Sequence, residues 1–400
     1  MVELIELEWA LHKIEMALTR RTLALGMAGV AGLLAWKFRV LQVGSFIAAA
    51  AAKKFLHPDS PPDFKKLSPE WQSLEPARRY PPSQSRGVIT YHPWYHQFSP
   101  SVAMRCLAEA AELGAHFIRL DIRWKDLVPD GEHLDEAAWN WYRSYLDVAR
   151  DGCSLEPIVV LSNPPGAVLH WSVERRLETW TAFVDEVARR LGGGCNFYQI
   201  LNEPNNPVFR IFPAKSTPTA IISAARRIRQ HNPQARTAVN MLVDLPGWKS
   251  DLEKLIDTCG SAIDIIGLDY YPRTWAVSCE SVLASWNNLA DEMIAATRDE
   301  TSPLHNRLLA ILETGYSTNM RRWRDAKHQE AYFVDLKHAL KRWDEETGQK
   351  RLLFFGIHEL TDSDTSAGLD PEAHFGLLTS GSLERKVSFV AVQQLFKELL

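Results

Sequence analysis

The chain has no excess of positive charge. Its 400 residues carry 45 Lys and Arg against 49 Asp and Glu, a formal net charge of −4. No overall basic field exists to gather nucleic acid along a groove, and no nucleic-acid partner is expected. Cysteine is sparse: Cys106, Cys153, Cys195, Cys259 and Cys279 are scattered, odd in number and never spaced as CxxC. That spacing excludes a cysteine zinc site and a full disulfide framework, and leaves room for one or two bridges after export. The thirteen histidines include no HExxH. His92 and His96 stand four apart in "HPWYH" and read as loop residues or ligand contacts rather than as a metal pair, so no metal is expected. The longest charge-free apolar run, Thr22 to Trp36, falls short of the roughly 20 residues of a spanning helix.

What remains is a globular composition, 46% hydrophobic and 24% charged, with enough apolar residues for a large core. The N-terminal 55 residues stand apart. Residues 1–21 read as an amphipathic helix, and "TRRTLAL" resembles a twin-arginine export signal, although Glu3, Glu6, Glu8 and Glu15 are unusual for one. A second apolar run, Val40 to Ala52, follows. The expectation is an exported protein, periplasmic or extracellular, or one associated with a membrane through residues 22–52; a cytoplasmic helical extension is the alternative. Residues 56–85, with "HPDSPPDF" and "RRYPPSQSR", are a linker or a wrapping arm. The main folded domain is expected over 86–400.

In that domain short apolar runs alternate with helical patterns. The runs are "GVITY" (87–91), "HFIRLDI" (116–122), "PIVVLS" (157–162), "FYQILN" (197–202), "RTAVNMLV" (236–243), "IDIIGLDYY" (263–271), "RLLAILE" (307–313) and "RLLFFGIHEL" (351–360). Between them, stretches such as "LETWTAFVDEVARRLGGG" repeat apolar residues at helical spacing and close on glycine. Such alternation predicts parallel strands joined by helical crossovers, and eight units predict a (β/α)8 barrel. A doubly wound open sheet is the runner-up, but no GxGxxG follows the first strand.

In a parallel barrel the strand body is buried and its C-terminal end opens into a shared mouth. Glu203 stands at such an end in "ILNEPNNP", and Glu313 in "ILETGYS". Two carboxyls across one mouth suit acetal cleavage, where one must be protonated and the other ionised.

These motifs resemble clan A glycoside hydrolases, retaining enzymes built on the (β/α)8 barrel; the resemblance covers roughly residues 87–395. It implies that Glu203 is the acid/base, Asn202 the partner of the sugar 2-hydroxyl, and Glu313 the nucleophile. It also implies that Arg119 in "FIRLDIRW" lies near the nucleophile, with Trp124 near the strand exit as a substrate contact. Tyr271 in "IGLDYYP" is implied as the hydrogen-bond donor to the nucleophile, with Tyr270 as the alternative. The implied activity is hydrolysis of a β-linked oligosaccharide, polysaccharide or glycoside without cofactor. Transglycosylation, or a non-catalytic glycan-binding barrel in a polysaccharide-assembly system, are the rivals.

The eighth run departs from the clan, whose members often end it on a tryptophan; here His358 and Glu359 stand there. Glu359 reads as a second candidate carboxylate or a sugar-hydroxyl acceptor, and Asp269 as a hydroxyl acceptor or an arginine partner. Sugar-stacking candidates are Trp94, Tyr95, Trp171, Phe209, Phe212, Trp275 and Trp323. Asn163 reads as a hydroxyl ligand or a turn residue. Arg321, Arg322 and Arg324 could read a uronate or a sulfated sugar, or form a solvated helix start.

Overall fold

The computed structural model describes residues 62–74, 79–274, 280–319, 325–347, 352–363 and 371–398. The apolar segment 22–52, Cys279, Trp275, Trp323 and the arginines Arg321, Arg322 and Arg324 lie outside the described residues. Eight strands close into a barrel in sequence order: β1 (Gly87–Thr90), β2 (Phe117–Arg123), β3 (Glu156–Ser162), β4 (Phe197–Ile200), β5 (Arg236–Leu242), β6 (Ile265–Asp269), β7 (Leu308–Glu313) and β8 (Leu352–Ile357). Every neighbouring pair is parallel, and β8 returns to β1 through Gly87↔Phe355 and Ile89↔Ile357. All eight apolar runs are therefore strands, and the open-sheet alternative is excluded by closure.

A helix follows each strand: α1 (Pro100–Leu113), α2 (Glu136–Asp147), α3 (Val173–Leu191), α4 (Thr217–His231), α5 (Trp248–Cys259), α6 (Val282–Arg298), α7 (Ala326–Thr347) and α8 (Val387–Glu398). Local chemistry fixes their ends. Asp135 accepts from Ala137 N and Ala138 N at the start of α2, Ser172 caps α3 and Ser281 caps α6, while proline opens α1 and α4 where a missing N–H costs nothing. Gly114, at φ 86, ends α1 in a conformation that glycine adopts without strain.

Alternation along the strands stacks the barrel interior in layers. The floor is apolar: Val88, Phe117, Ile158, Ala238, Ile265, Ala310 and Phe354 pack together, with Phe117, Phe197 and Phe354 ring to ring at 5.1–5.6 Å. Two residues further along β1, β2, β4 and β5 the interior turns polar, with Thr90, Arg119, Gln199 and Asn240 buried above the floor. Gly267 completes this layer, because a Cβ there would sit 2.4 Å from the Leu312 side chain. The polar layer carries the site.

Residues 64–73 form an arm rather than a free linker. Phe64 and Trp71 are buried against Phe98, Trp141, Tyr142 and Tyr145. Burying each ring is worth about 1.5–3 kcal/mol. Among the described residues no helix is long and apolar enough to cross a membrane.

Candidate active site

β4 ends at Ile200, and the chain then turns sharply through Leu201 at φ 65 and Glu203 at φ 42. Left-handed backbone at such residues costs on the order of 1–3 kcal/mol each. The asparagines of "NEPNNP" hold the turn against that strain. Asn205 exchanges two 3.0 Å hydrogen bonds with the backbone of Leu242, and Asn206 Nδ2 donates to Oε2 of Glu203 at 2.6 Å. The Glu203 N–H itself donates to Oδ1 of Asn240 at 2.9 Å. Glu203 is thereby fixed at the mouth, 4% exposed.

Glu313 arrives by a different device. Simple alternation from Ala310 and Leu312 would point it out of the barrel. A register shift between β6 and β7 pairs Asp269 with Glu313 instead of Leu312, so the carboxylate faces inward. Arg119 Nη2 meets its Oε1 at 2.6 Å, and Tyr271 Oη donates to its Oε2 at 2.5 Å. One oxygen from each of Glu203, Asp269 and Glu313 lies within 4.8 Å of the others.

A buried network links these groups. Oδ1 of Asn202 accepts from Arg119 Nη2 at 3.1 Å, Gln199 Nε2 at 3.0 Å and Asn240 Nδ2 at 2.9 Å. With that oxygen committed, Nδ2 is the end of the side chain turned away from the network. Arg119 Nε also donates to Gln199 at 2.8 Å, and Asn240 Nδ2 to Asp269.

The environments separate the carboxyls electrostatically. Burial and the nearby Glu313 charge raise the Glu203 carboxyl to about 8, a shift that the Asn206 hydrogen bond only partly offsets. Burial would raise Glu313 too. Arg119, His358 and the Tyr271 hydroxyl outweigh it and hold that carboxyl below the ordinary value. Burial, with Glu313 and Glu203, drives Asp269 well above the carboxylate range. One protonated and one ionised carboxyl therefore face each other near neutral pH.

The structure brings Glu203, Glu313, Asn202, Arg119 and Tyr271 together, with His358 Nδ1 3.7 Å from Glu313 Oε2. Tyr270 turns to the outer core against Trp286 at 5.0 Å. Trp94 lies half-buried at the rim, stacked on His92 at 4.3 Å with the Arg123 guanidinium 4.5 Å from its ring. Asn163 serves as a turn residue at φ 55 and also donates to Asp121 Oδ2 at 2.9 Å. Trp171 is covered by Arg175 at 3.9 Å, Phe209 is exposed, and Phe212 is buried near Trp180.

Two expectations are corrected. Trp124 follows the inward Arg123 and so turns outward; it is fully buried between strand and helix, stacked on Phe183 and tilted on Trp180 of α3, away from any substrate. Glu359 is also sealed, with neither oxygen reaching the surface, and contacts His92 Nδ1 at 2.7 Å. It stands behind His358 and accepts no sugar hydroxyl from the mouth.

Sequence reasoning missed Asn206, Gln199, Asn240 and Asp121. Inward parity from Arg119 marks Asp121, and parity from Phe197 marks Gln199. Asp121, 6% exposed, accepts from Ser162 and Asn163 through Oδ2.

No family model matches the chain, and no curated protein matches it. Solved structures do. An apo β-glucosidase superposes with TM-score 0.59 at 17% identity, over 76% of this chain and 88% of that one. The chain has the fold of clan A glycoside hydrolases. An exo-β-1,4-mannosidase from an Opitutaceae bacterium gives TM-score 0.62 at 16% identity, over 80% of this chain and 61% of its own. A family 1 β-glucosidase from Thermotoga maritima gives 0.56 at 13%, over 76% and 86%.

Proposed function

We propose that the protein is a retaining glycoside hydrolase acting on a β-linked glycan or glycoside. The observation that carries the reading is the Glu203–Glu313 pair, with oxygens within 4.8 Å of each other and opposite proton affinities. Retaining enzymes hold their carboxyl groups roughly 5–5.5 Å apart, whereas inverting enzymes leave roughly 6.5–9.5 Å for a water.

Protonated Glu203 donates to the glycosidic oxygen as its bond to the anomeric carbon breaks, and a Glu313 oxygen attacks that carbon from the opposite face. Arg119 and Tyr271 keep the attacking carboxylate ionised and oriented. Ionised Glu203 then takes a proton from water, which displaces Glu313 and regenerates both groups. Asn202 Nδ2 is the donor offered to a sugar hydroxyl, the Asp121 carboxyl a nearby acceptor, and Trp94 supplies an apolar face.

The similar structures include a β-glucosidase and an exo-β-1,4-mannosidase. We take from them a β-linked hexoside as the first substrate to try. The segment 22–52 is proposed to export the protein or hold it at a membrane, which fractionation of the full-length chain tests. The reaction itself is tested by proton NMR of the first-formed product. A β-anomer from a β-glycoside supports the reading, and an α-anomer refutes retention.

A further inference from the structure

His358 follows β8 beside the nucleophile, and each of its ring nitrogens faces a carboxylate. Nδ1 stands 3.7 Å from Glu313 Oε2, and Nε2 stands 3.8 Å from Glu372 Oε2. A neutral imidazole always leaves one nitrogen bare, and a bare lone pair here would oppose a negative oxygen on one side or the other. Only the doubly protonated ring satisfies both flanks.

The ring cannot turn away from this arrangement. It is 5% exposed and wedged edge-on among His92 at 5.4 Å, Phe375 at 5.3 Å and Tyr271 at 6.0 Å. The titratable groups around it come from four elements. Glu313 comes from β7, Glu359 and Glu372 from the chain after β8, His92 from the end of β1, and the Tyr271 hydroxyl from the end of β6. Glu359 contacts His92 Nδ1 at 2.7 Å, while Glu313 and Glu372 are the carboxylates that come within 4 Å of the His358 nitrogens.

We propose that His358 is a positioning residue for the nucleophile, a fixed imidazolium that keeps Glu313 ionised and aimed while Glu372, on its outer side, keeps the proton on the ring. The part of this that concerns catalysis rests on the retaining reading of Glu203 and Glu313. Charge accounting agrees with the geometry: burial opposes the proton, but Glu359, Glu372 and Glu313 together raise the imidazole to about 9. His92 goes the other way, held well below its ordinary value by burial and by its positive neighbours His358, Arg119 and Arg123. The two rings therefore divide the work, one carrying charge and one neutral against Glu359. The Glu372 charge also contributes to the high proton affinity of Glu203, so one residue of the Pro371–His374 turn acts on both carboxyls.

Carboxyl carbon NMR of the full-length protein with labelled glutamate tests this without any substrate, the Glu313 signal being assigned through Glu313→Gln. In His358→Gln the Glu313 midpoint is expected to rise by about one unit or more. A midpoint within a few tenths of wild type overturns the proposal. Glu372→Gln, at a half-exposed position, covers the case in which the first variant fails to fold. It should lower the His358 midpoint read from ring proton shifts, and an unchanged midpoint overturns the proposal equally. For the catalytic half, the rate of inactivation by dinitrophenyl 2-deoxy-2-fluoro-β-glycosides is followed against pH, since such leaving groups need no acid. The acid limb should move upward in His358→Gln, whereas an unmoved limb rejects the catalytic role. Wild type that no such glycoside labels refutes the glycosidase reading, and the NMR result then decides on His358 alone.

Discussion

Arg119 Nη2 lies 2.6 Å from Glu313 Oε1 and 3.1 Å from Asn202 Oδ1. One guanidinium nitrogen thus sets the distance between the proposed nucleophile and the residue preceding the proposed acid. Coming from the inward face of β2, it needs no flexible loop to do so.

Arg119→Lys keeps the charge but loses the fork that reaches Gln199, Asn202 and Glu313 together. We expect kcat/KM to fall at least about 100-fold, equivalent to about 2.7 kcal/mol of transition-state stabilisation. Arg119→Gln should in addition lower stability by about 3–5 kcal/mol, because Glu313 would be left as an unpaired buried charge. Steady-state kinetics and urea unfolding measure the two effects.

The pH dependence of kcat/KM should be bell-shaped. Its alkaline limb lies near 8, where Glu203 loses its proton, and its acid limb lies below the ordinary carboxylate value because Glu313 is held low. With a dinitrophenyl glycoside, whose leaving group needs no acid, the limb near 8 should be absent from wild type and Glu203→Gln alike, whereas wild type should show it with an alkyl glycoside. A limb that persists unchanged with the dinitrophenyl glycoside would assign it to another group.

Glu203 also ties stability to pH. Its folded proton affinity is raised above the unfolded value, so the stabilisation is complete below about 4.3 and is lost as pH rises through about 8. Glu203→Gln, neutral at every pH, should therefore raise the melting temperature relative to wild type at pH 9 more than at pH 4. Glu313 has the opposite sign. Its depressed value gives stability above the unfolded carboxyl range that is lost as pH falls through the folded one. Calorimetry across pH separates the two.

Trp124→Ala should cost about 3–5 kcal/mol through the cavity left between β2 and α3, with KM unchanged in the folded fraction. A raised KM without loss of stability would return Trp124 to the mouth.

The strands were legible because a closed parallel barrel buries both faces of each one, so every strand reads as a short apolar run bounded by turn residues. Strand period two also accounts for Arg119 and Asp269 lying inside. The same alternation misplaces Glu313, which depends on a register shift that no local pattern encodes. Asn206 and Asn240 were illegible for a related reason: an asparagine in a turn and one in a strand carry no mark of the carboxyl they will meet. Trp124 misled because a residue just past a strand end lies near the mouth along the chain, while its parity sends the side chain into the helical layer. Glu359 stands after β8 with the same proximity, yet its carboxyl is drawn inward against His92.

The most direct test is the intact mass of wild type and Glu313→Gln after incubation with dinitrophenyl 2-deoxy-2-fluoro-β-glycosides. The expected result is a mass gain of one fluorosugar on wild type alone, mapped by peptide sequencing to Glu313. An adduct on Glu203 or Glu359, or an equal adduct on Glu313→Gln, would contradict the assignment of Glu313 as nucleophile.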